Sequence, residues 1–314
     1  MNAPNLCGIC GENTRLTLKE KFNEYSLWEC ASCQGQFWTP MKNPGSSWYE
    51  RDERYSFRNQ NPMKRIESNH RLFLDRAPAA GGKILDIGMG IGNFLSAAVK
   101  CGYRGFGIDF DRDAISAAKD ELGLENVYVE DIDGAVKRFG IGFFDAVTMF
   151  EVLEHLDNPR DFLAKIRIIL KTGGFLGLSV PFRGSWDVFK KYDKPPRHLS
   201  RWNEKSMSNF FKANGFEILE IKVIPASFAY LVTKFHFWSK GFLSFGLVEK
   251  ISKAGNHGTK KTSAKPRRVV KVIKSLALLK DYLLFGIPAA LLYIYLRLIR
   301  RHGLTLYALG RCFT

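Results

Sequence analysis

Four side chains near the middle of the chain have the types and spacing of a reacting centre. Glu151, Glu154 and His155 form a Glu-x-x-Glu-His string, and His198 follows within Pro195-Pro196-Arg197-His198-Leu199-Ser200. On a helix starting at Glu151, the first three share one face, because residues three and four apart are neighbours on a helix surface. Two carboxylates and an imidazole converging in this way can bind a divalent cation such as Mg2+, with His198 as a fourth ligand. The same groups can instead take a proton from a hydroxyl acceptor. Glu154, His155 and His198 are therefore the candidate catalytic residues; the plain alternative is that the histidines cap a helix or pack.

Two Cys-x-x-Cys pairs, Cys7/Cys10 and Cys30/Cys33, lie near the N-terminus with nineteen residues between them. Four thiolates at this spacing suit one closed tetrahedral Zn2+ site, structural in role, and about forty residues need such a staple to fold. An alternative is that this ribbon also covers the reacting centre. Cys101 and Cys312 stand alone, so the cysteines suggest metal binding in a reducing compartment rather than a disulfide framework. The first six residues lack a basic and an apolar region, and a cytoplasmic protein is expected.

A third constellation is Ile84-Leu85-Asp86-Ile87-Gly88-Met89-Gly90-Ile91-Gly92-Asn93, a strand running into a Gly-x-Gly-x-Gly turn and then a helix. Such glycines let the backbone approach a ligand closely, and the helix start offers N–H donors. Dinucleotide-binding proteins use a similar loop. About 20 residues on, Gly107-Ile108-Asp109 ends the next strand, where an acid suits ribose hydroxyls.

The elements that position these groups alternate as βαβ units. Strands are expected at Lys83–Ile87, Gly105–Asp109, Val127–Val129, Phe144–Met149, Phe175–Val180 and Phe216–Val223, with a final one at Leu304–Leu309. Helices are expected at Met63–Arg76, Asn93–Lys100, Asp113–Leu122, Pro159–Leu170 and Glu204–Asn214. Asn158 caps the Pro159 helix, and Gly173-Gly174 is expected to end it. The fold class is α/β, a Rossmann-like, doubly wound, mostly parallel sheet. The organisation reads as a zinc ribbon (1–40), a helical linker (41–81), the core (82–226), an aromatic, basic and apolar insertion (227–302) and the final strand (303–314).

The ordered segments Gly88-x-Gly90-x-Gly92, Asp109, Glu130-Asp131-Ile132, Phe150-Glu151 through His155, and Leu170-Lys171-Thr172-Gly173-Gly174 together resemble the class I S-adenosylmethionine-dependent methyltransferases from about Lys83 to Gly310. The resemblance implies that Gly88, Gly90 and Gly92 pass beside the methionine part of the cofactor and that Asp86 holds that loop and the cofactor amine. It further implies that Asp109 binds the ribose and Asp131 the adenine, with Ile132, Phe150 and Glu151 in the cofactor pocket. The Glu-x-x-Glu-His string is similar to that of two metal-using groups, the ubiquinone-biosynthesis O-methyltransferases and the plant small-RNA 2′-O-methyltransferases. It also looks like that of relatives with no established metal. A zinc ribbon before such a domain resembles the deoxysugar C-methyltransferases, whose further C-terminal domain is not found here. It also resembles bacterial 23S rRNA guanine methyltransferases, whose second knuckle uses a His where this chain has Cys.

The net charge of +16 is unevenly spread. From Lys250 to Lys274 there are nine Lys or Arg and no Asp or Glu. Such a run attracts phosphates of nucleic acid or of anionic lipid, or it is a solvated loop. It is flanked by Phe228–Leu247, rich in aromatics with Lys, and by the apolar stretch Tyr282–Leu296, interrupted by Gly286 and Pro288 and closed by Arg297, Arg300 and Arg301. The stretch is shorter than the ~20 residues of a bilayer span. The expectation is peripheral association with the cytoplasmic face of an anionic membrane, against a helical lid or a dimer interface. Function then reads as methylation, by in-line transfer to oxygen, of a small-molecule or lipid-linked acceptor, saccharide or quinone-like. The alternative is an RNA methyltransferase that uses the ribbon and the basic run as its nucleic-acid contact.

Overall fold

The structure, a computed structural model, describes residues 4–45, 48, 66–77, 81–184, 193–232, 234–235, 267–299 and 303–313, with the backbone alone for 267–282. The chain forms two compact units, Met1–Ile224 with Gly303–Thr314, and Pro225–His302. In chain order the strands are β1 (Leu16–Phe22), β2 (Tyr25–Cys30), β3 (Gln36–Thr39), β4 (Lys83–Ile87), β5 (Arg104–Asp109) and β6 (Val127–Val129). They continue as β7 (Phe144–Phe150), β8 (Leu170–Pro181), β9 (Ser200–Arg201), β10 (Phe216–Pro225) and β11 (Gly303–Cys312).

Seven of these build the central sheet of the first unit in the order β10-β11-β8-β7-β4-β5-β6. β4 pairs in parallel with β5 and β7, β5 with β6, and β7 with β8, whereas β11 lies antiparallel to β8. A parallel strand covered on both faces reads as a continuous apolar run. Accordingly Ile84 and Leu85 of β4 and Ala146 and Val147 of β7 are fully buried or nearly so. The mostly parallel, doubly wound sheet expected from the sequence is thus present, with β7 in the middle and β4 beside it.

Four helices start where a side chain satisfies their first N–H groups, each such cap contributing about 1 kcal/mol, whereas Asn93–Lys100 starts at Gly92 without one. Asp111 accepts from Asp113 and Ala114 at the helix Arg112–Leu122, and Asp131 accepts from Gly134 at Ile132–Phe139. Asn158 caps Pro159–Ile169, and Asn203 forms a capping box on Glu204–Ala213. The expected helix near residue 70 spans Ser68–Arg76; positions 63–65 lie outside the described residues.

Two local expectations are corrected. Glu151 does not start an α-helix: it sits at φ 57°, and only a single 3-10 turn, Leu153–His155, follows. Its N–H still donates to Ser179 O of β8 at 2.9 Å, so the backbone stays tied to the carboxyl end of β8 there. Gly173-Gly174 does not end the Pro159 helix, because β8 begins at Leu170. Leu170 is buried opposite Phe144, which draws the chain into extended backbone, and Gly173, at φ 79°, lies where β7 and β8 shift register. In the second unit one helix runs from Arg267 to Leu298 through Gly286 and Pro288.

The N-terminal residues form a second sheet, β1-β2-β3-β9, in which β3 is antiparallel to both neighbours. Its fourth strand comes from the segment after His198. Cys7, Ile9, Cys30, Cys33 and Phe37 share one apolar cluster with Trp202, Met207 and Phe210. In the second unit, the helix Arg267–Leu298 buries Ala289 and Leu296, and Phe228 packs edge-on against Tyr293. The basic run over 250–266 and the aromatic segment over 236–247 lie outside the described residues.

Candidate active site

β4 leads into the glycine loop, where Gly88, Gly90 and Gly92 take φ values of 67°, 53° and 81°. A Cβ on Gly88 would lie 2.6 Å from Val152 Cγ2, so both the conformation and the space demand glycine there. Gly90 N donates to Asp109 Oδ2 at 2.8 Å, and Asp111 N donates to Oδ1 at 2.9 Å. Asp109 thus ties the glycine loop to the end of β5. Asp86 lies behind the loop, where Thr148 Oγ1 donates to its Oδ1 at 2.8 Å. Burial, opposed by Thr148 and reinforced by the Asp109 charge, pushes its carboxyl up to about 7.

A cavity of about 770 Å3 opens at the carboxyl ends of β4, β5 and β7. It is lined by Gly88, Gly90, Asp109, Asp131, Ile132, Phe150, Glu151, Glu154, His155 and His198, which brings ten of the sequence-derived candidates around one space. Asp86 and Gly92 are not in its wall. The wall is acidic although the chain is basic: Asp111, Glu130, Asp133, Asp157 and Asp161 join the four acids just named, against Lys165 and Arg197. Lys165 is itself bound by Asp133 and Asp161 at 3.0 and 2.9 Å.

Glu154, His155 and His198 offer ligand atoms within 4.8 Å of one another, and their rings and carboxylate are buried or half-buried. Glu151 is outside this group. It turns toward β8, where Ser179 Oγ donates to Glu151 Oε1 at 3.0 Å and Asn69 Nδ2 donates to Ser179 Oγ at 3.0 Å. Neither carboxylate oxygen of Glu154 accepts a hydrogen bond from another residue among those described. Burial pushes Glu151 up to about 7 and, with the Glu151 charge beside it, pushes Glu154 well above the usual carboxylate range. A buried carboxylate with no partner needs a proton or a cation. His155 Nδ1 lies 2.6 Å from Arg197 O, and a carbonyl only accepts, so Nδ1 carries the proton and Nε2 the lone pair. Nε2 is 3.8 Å from Glu154 Oε1. His198 Nδ1 is paired with Asp193 Oδ1 at 3.0 Å in the same manner. Imidazoles oriented through Nδ1 by carbonyl or carboxylate are arranged as metal ligands usually are.

Cys7, Cys10, Cys30 and Cys33 are all buried, with thiol sulfurs within 4.8 Å of one another. Cys7 and Cys33 are 3.8 Å apart, as are Cys10 and Cys30. No disulfide joins them. A hydrogen bond from Cys33, with N–H donors behind it, holds the Cys7 thiol down at about 5, while burial pushes Cys10 up to about 12. The four donors fit one tetrahedral metal ion.

Several site residues left no pattern in the sequence. Asn43 lines the cavity and donates from Nδ2 to His155 O at 2.7 Å, a contact 112 residues apart along the chain. His70 packs on Phe94 and Phe150 with ring centroids 5.2 and 4.7 Å away, and burial holds it down at about 4, hence neutral. Asn69 and Ser179 are single polar residues on otherwise apolar elements, without the spacing that marks a motif.

The sheet order, the glycine loop and the acid at the end of β5 define a Rossmann-like class I methyltransferase fold. The chain belongs to the family described as Methyltransferase domain, which matches residues 57–221. It is 36% identical over 119 residues to the mitochondrial ubiquinone biosynthesis O-methyltransferase of Schizosaccharomyces pombe, covering 37% of this chain and 43% of that one. To the ubiquinone biosynthesis O-methyltransferase of Thiobacillus denitrificans it is 33% identical over 126 residues, 38% of this chain and 53% of that one. The chain spans about half the length of the curated relatives it matches. Among solved structures, a chain of the Haloferax volcanii complex containing the Trm112 methyltransferase activator superposes with a TM-score of 0.50 at 19% identity, over 87% of this chain and 99% of that one.

Proposed function

We propose that the protein transfers a methyl group from S-adenosylmethionine to an oxygen of a small or lipid-linked acceptor, saccharide or quinone-like. The observation that carries this reading is the convergence of Glu154, His155 and His198 in the same cavity as Gly88, Gly90 and Asp109. Gly88 and Gly90, Asp109, Asp131 and Ile132 would hold the cofactor, with Phe150 and Glu151 beside them and Asp86 and Gly92 bracing the loop from behind. The bound cofactor supplies a methyl already activated on a sulfonium. The protein's own task is to orient the acceptor and manage its proton. Through its Nδ1 contact, His155 presents the Nε2 lone pair as general base or cation ligand. Glu154, buried without a donor, suits a divalent cation such as Mg2+ shared with His155 and His198, with Glu151 held apart by Ser179 as a cofactor-side group. Kinship by name to ubiquinone biosynthesis O-methyltransferases supports the quinone-like acceptor. The acidic wall opposes the phosphates that an RNA acceptor would bring.

The cysteine site is read as structural zinc. Sulfurs about 2.3 Å from one zinc lie about 3.8 Å apart along a tetrahedral edge, the spacing of Cys7 to Cys33 and of Cys10 to Cys30. Association with an anionic membrane surface is the proposed reading of the second unit. Among the described residues no helix is long and apolar enough to cross a membrane. Leu283, Ile287, Leu291, Ile294 and Leu298 are nevertheless more than half exposed at helical spacing, next in sequence to the cationic run.

A labelled-methyl assay against quinone-like phenols, lipid-linked saccharide and RNA, with and without Mg2+, tests the reading. Alanine at His155 or His198 is expected to lower kcat by roughly 10²–10⁴-fold while leaving S-adenosylhomocysteine affinity nearly unchanged. Unaltered turnover in both variants, or labelling of RNA alone, would overturn it.

A further inference from the structure

We propose that the cysteine ribbon is the positioning element for the histidine side of the cavity, so that loading its four-cysteine site with metal sets the placement of His155 and His198. The inference rests on reading Cys7, Cys10, Cys30 and Cys33 as one metal site, and otherwise only on backbone and ion-pair geometry.

Three sets of contacts carry it. β3 begins three residues after Cys33, and Gln36 and Phe37 pair with Arg201 and Ser200, while Trp38 N donates to Leu199 O at 2.9 Å. Leu199 N donates in turn to Glu154 O at 2.7 Å. The residue after His198 is thus bonded on one side to the ribbon and on the other to the turn that carries Glu154 and His155. Secondly, the chain leaving β3 delivers Asn43, whose Nδ2 donates to His155 O at 2.7 Å. Thirdly, an ion-pair chain runs from ribbon to ring. Glu20 of β1 is 2.6 Å from Lys194 Nζ and 3.6 Å from Arg201 Nη1, Arg201 Nε is 2.6 Å from Asp193 Oδ2, and Asp193 Oδ1 is 3.0 Å from His198 Nδ1. The cofactor side is built differently: Gly90 and Asp109 are bonded to each other and to neighbours on β5 and the loop after it.

The ribbon packs Ile9 and Phe37 against Trp202, Met207 and Phe210, and in so short a segment the strand register depends on the staple being closed. When the metal leaves, β3 loses its alignment, and with it go the backbone bond to Leu199, the Asn43 bond and the Glu20 contacts. Both histidines lose their ribbon-side supports while the glycine loop keeps its own.

The experiment uses the full chain with isotope-labelled histidine. Metal content is measured first, then the metal is stripped with a strong chelator. The readouts are the imidazole resonances and the calorimetric affinity for S-adenosylhomocysteine. On stripping, the His155 and His198 signals are expected to shift or broaden. His70, packed between Phe94 and Phe150, serves as the unchanged reference, and S-adenosylhomocysteine affinity stays within about threefold. Zinc added back restores both signals. Asn43→Ala, which leaves all four cysteines intact, is expected to keep one metal per chain and to move the His155 signal. Unchanged His155 and His198 signals in the stripped chain overturn the proposal. So does simultaneous loss of His70 and of S-adenosylhomocysteine binding, which makes the ribbon a general staple. A chain that binds no metal overturns the four-cysteine reading and its metal coupling; an unshifted His155 in Asn43→Ala overturns the positioning role itself.

Discussion

Asp86 shows how a single buried carboxyl acquires a consequence from its surroundings. Its folded-state value near 7 lies above the ordinary carboxylate value, so the folded chain binds the proton more tightly than the unfolded one. The stabilisation from this group is complete below about pH 4 and is lost as pH rises toward 7. Asp86→Asn keeps an oxygen for the Thr148 hydroxyl and removes the titration. Urea unfolding from pH 5 to 8 should therefore show the variant gaining on the parent as pH rises, by a few kcal/mol at most, since one pKa unit is worth about 1.4 kcal/mol. Parallel stability curves for the two proteins would rule out a protonated Asp86. Cofactor binding is checked separately, because Asp86 is behind the loop and not in the cavity wall.

At the scale of elements, the turn after β4 carries its own prediction. Gly88→Ala places a methyl 2.6 Å from Val152 Cγ2 at φ 67°, a clash and a backbone strain together. Strain of this kind costs about 1–3 kcal/mol, and S-adenosylhomocysteine affinity is expected to fall at least tenfold by calorimetry. Adding Val152→Ala removes the clash and leaves the strain, so the double variant should recover part of the affinity and not all; full recovery would place the whole effect in the clash. The βαβ order, the glycine loop and Asp109 were legible because each rests on local pattern: apolar runs, glycine spacing and caps such as Asn158. What escaped depended on distant partners. Nothing local tells that Glu151 remains bonded to Ser179 on β8 instead of opening a helix, and no spacing links Asn43 to His155. Gly173-Gly174 has the composition of a helix end, but burial of Leu170 against Phe144 starts a strand three residues earlier.

Across the whole molecule, charge is separated by location. A chain of net charge +16 surrounds its cavity with acids and gathers cations in the sequence between 250 and 274. An acidic wall favours a cationic cofactor and disfavours phosphates, while the cations suit a lipid surface. On that reading, the full chain should float with vesicles containing phosphatidylserine and stay behind with purely phosphatidylcholine vesicles. Ile287→Ser with Leu291→Ser should weaken flotation about tenfold or more without altering S-adenosylhomocysteine binding. Equal flotation of parent and variant would exclude the exposed apolar stripe as the lipid contact, and a change in sedimentation of the parent alone would assign the stripe to self-association.

The borrowed strand β9 has a bearing on how such a molecule can be recombined. Cut from its own core and grafted onto another enzyme, the first forty residues would carry β3 with one side of its backbone bare. A bare strand edge pairs with whatever chain it meets. The ribbon is thus not a transferable module in the way that linker-joined modules are. Exchange between relatives is expected to succeed only when the short stretch around Ser200 and Arg201 travels with it, so the two stretches should be inherited as a pair although about 160 residues separate them in the chain.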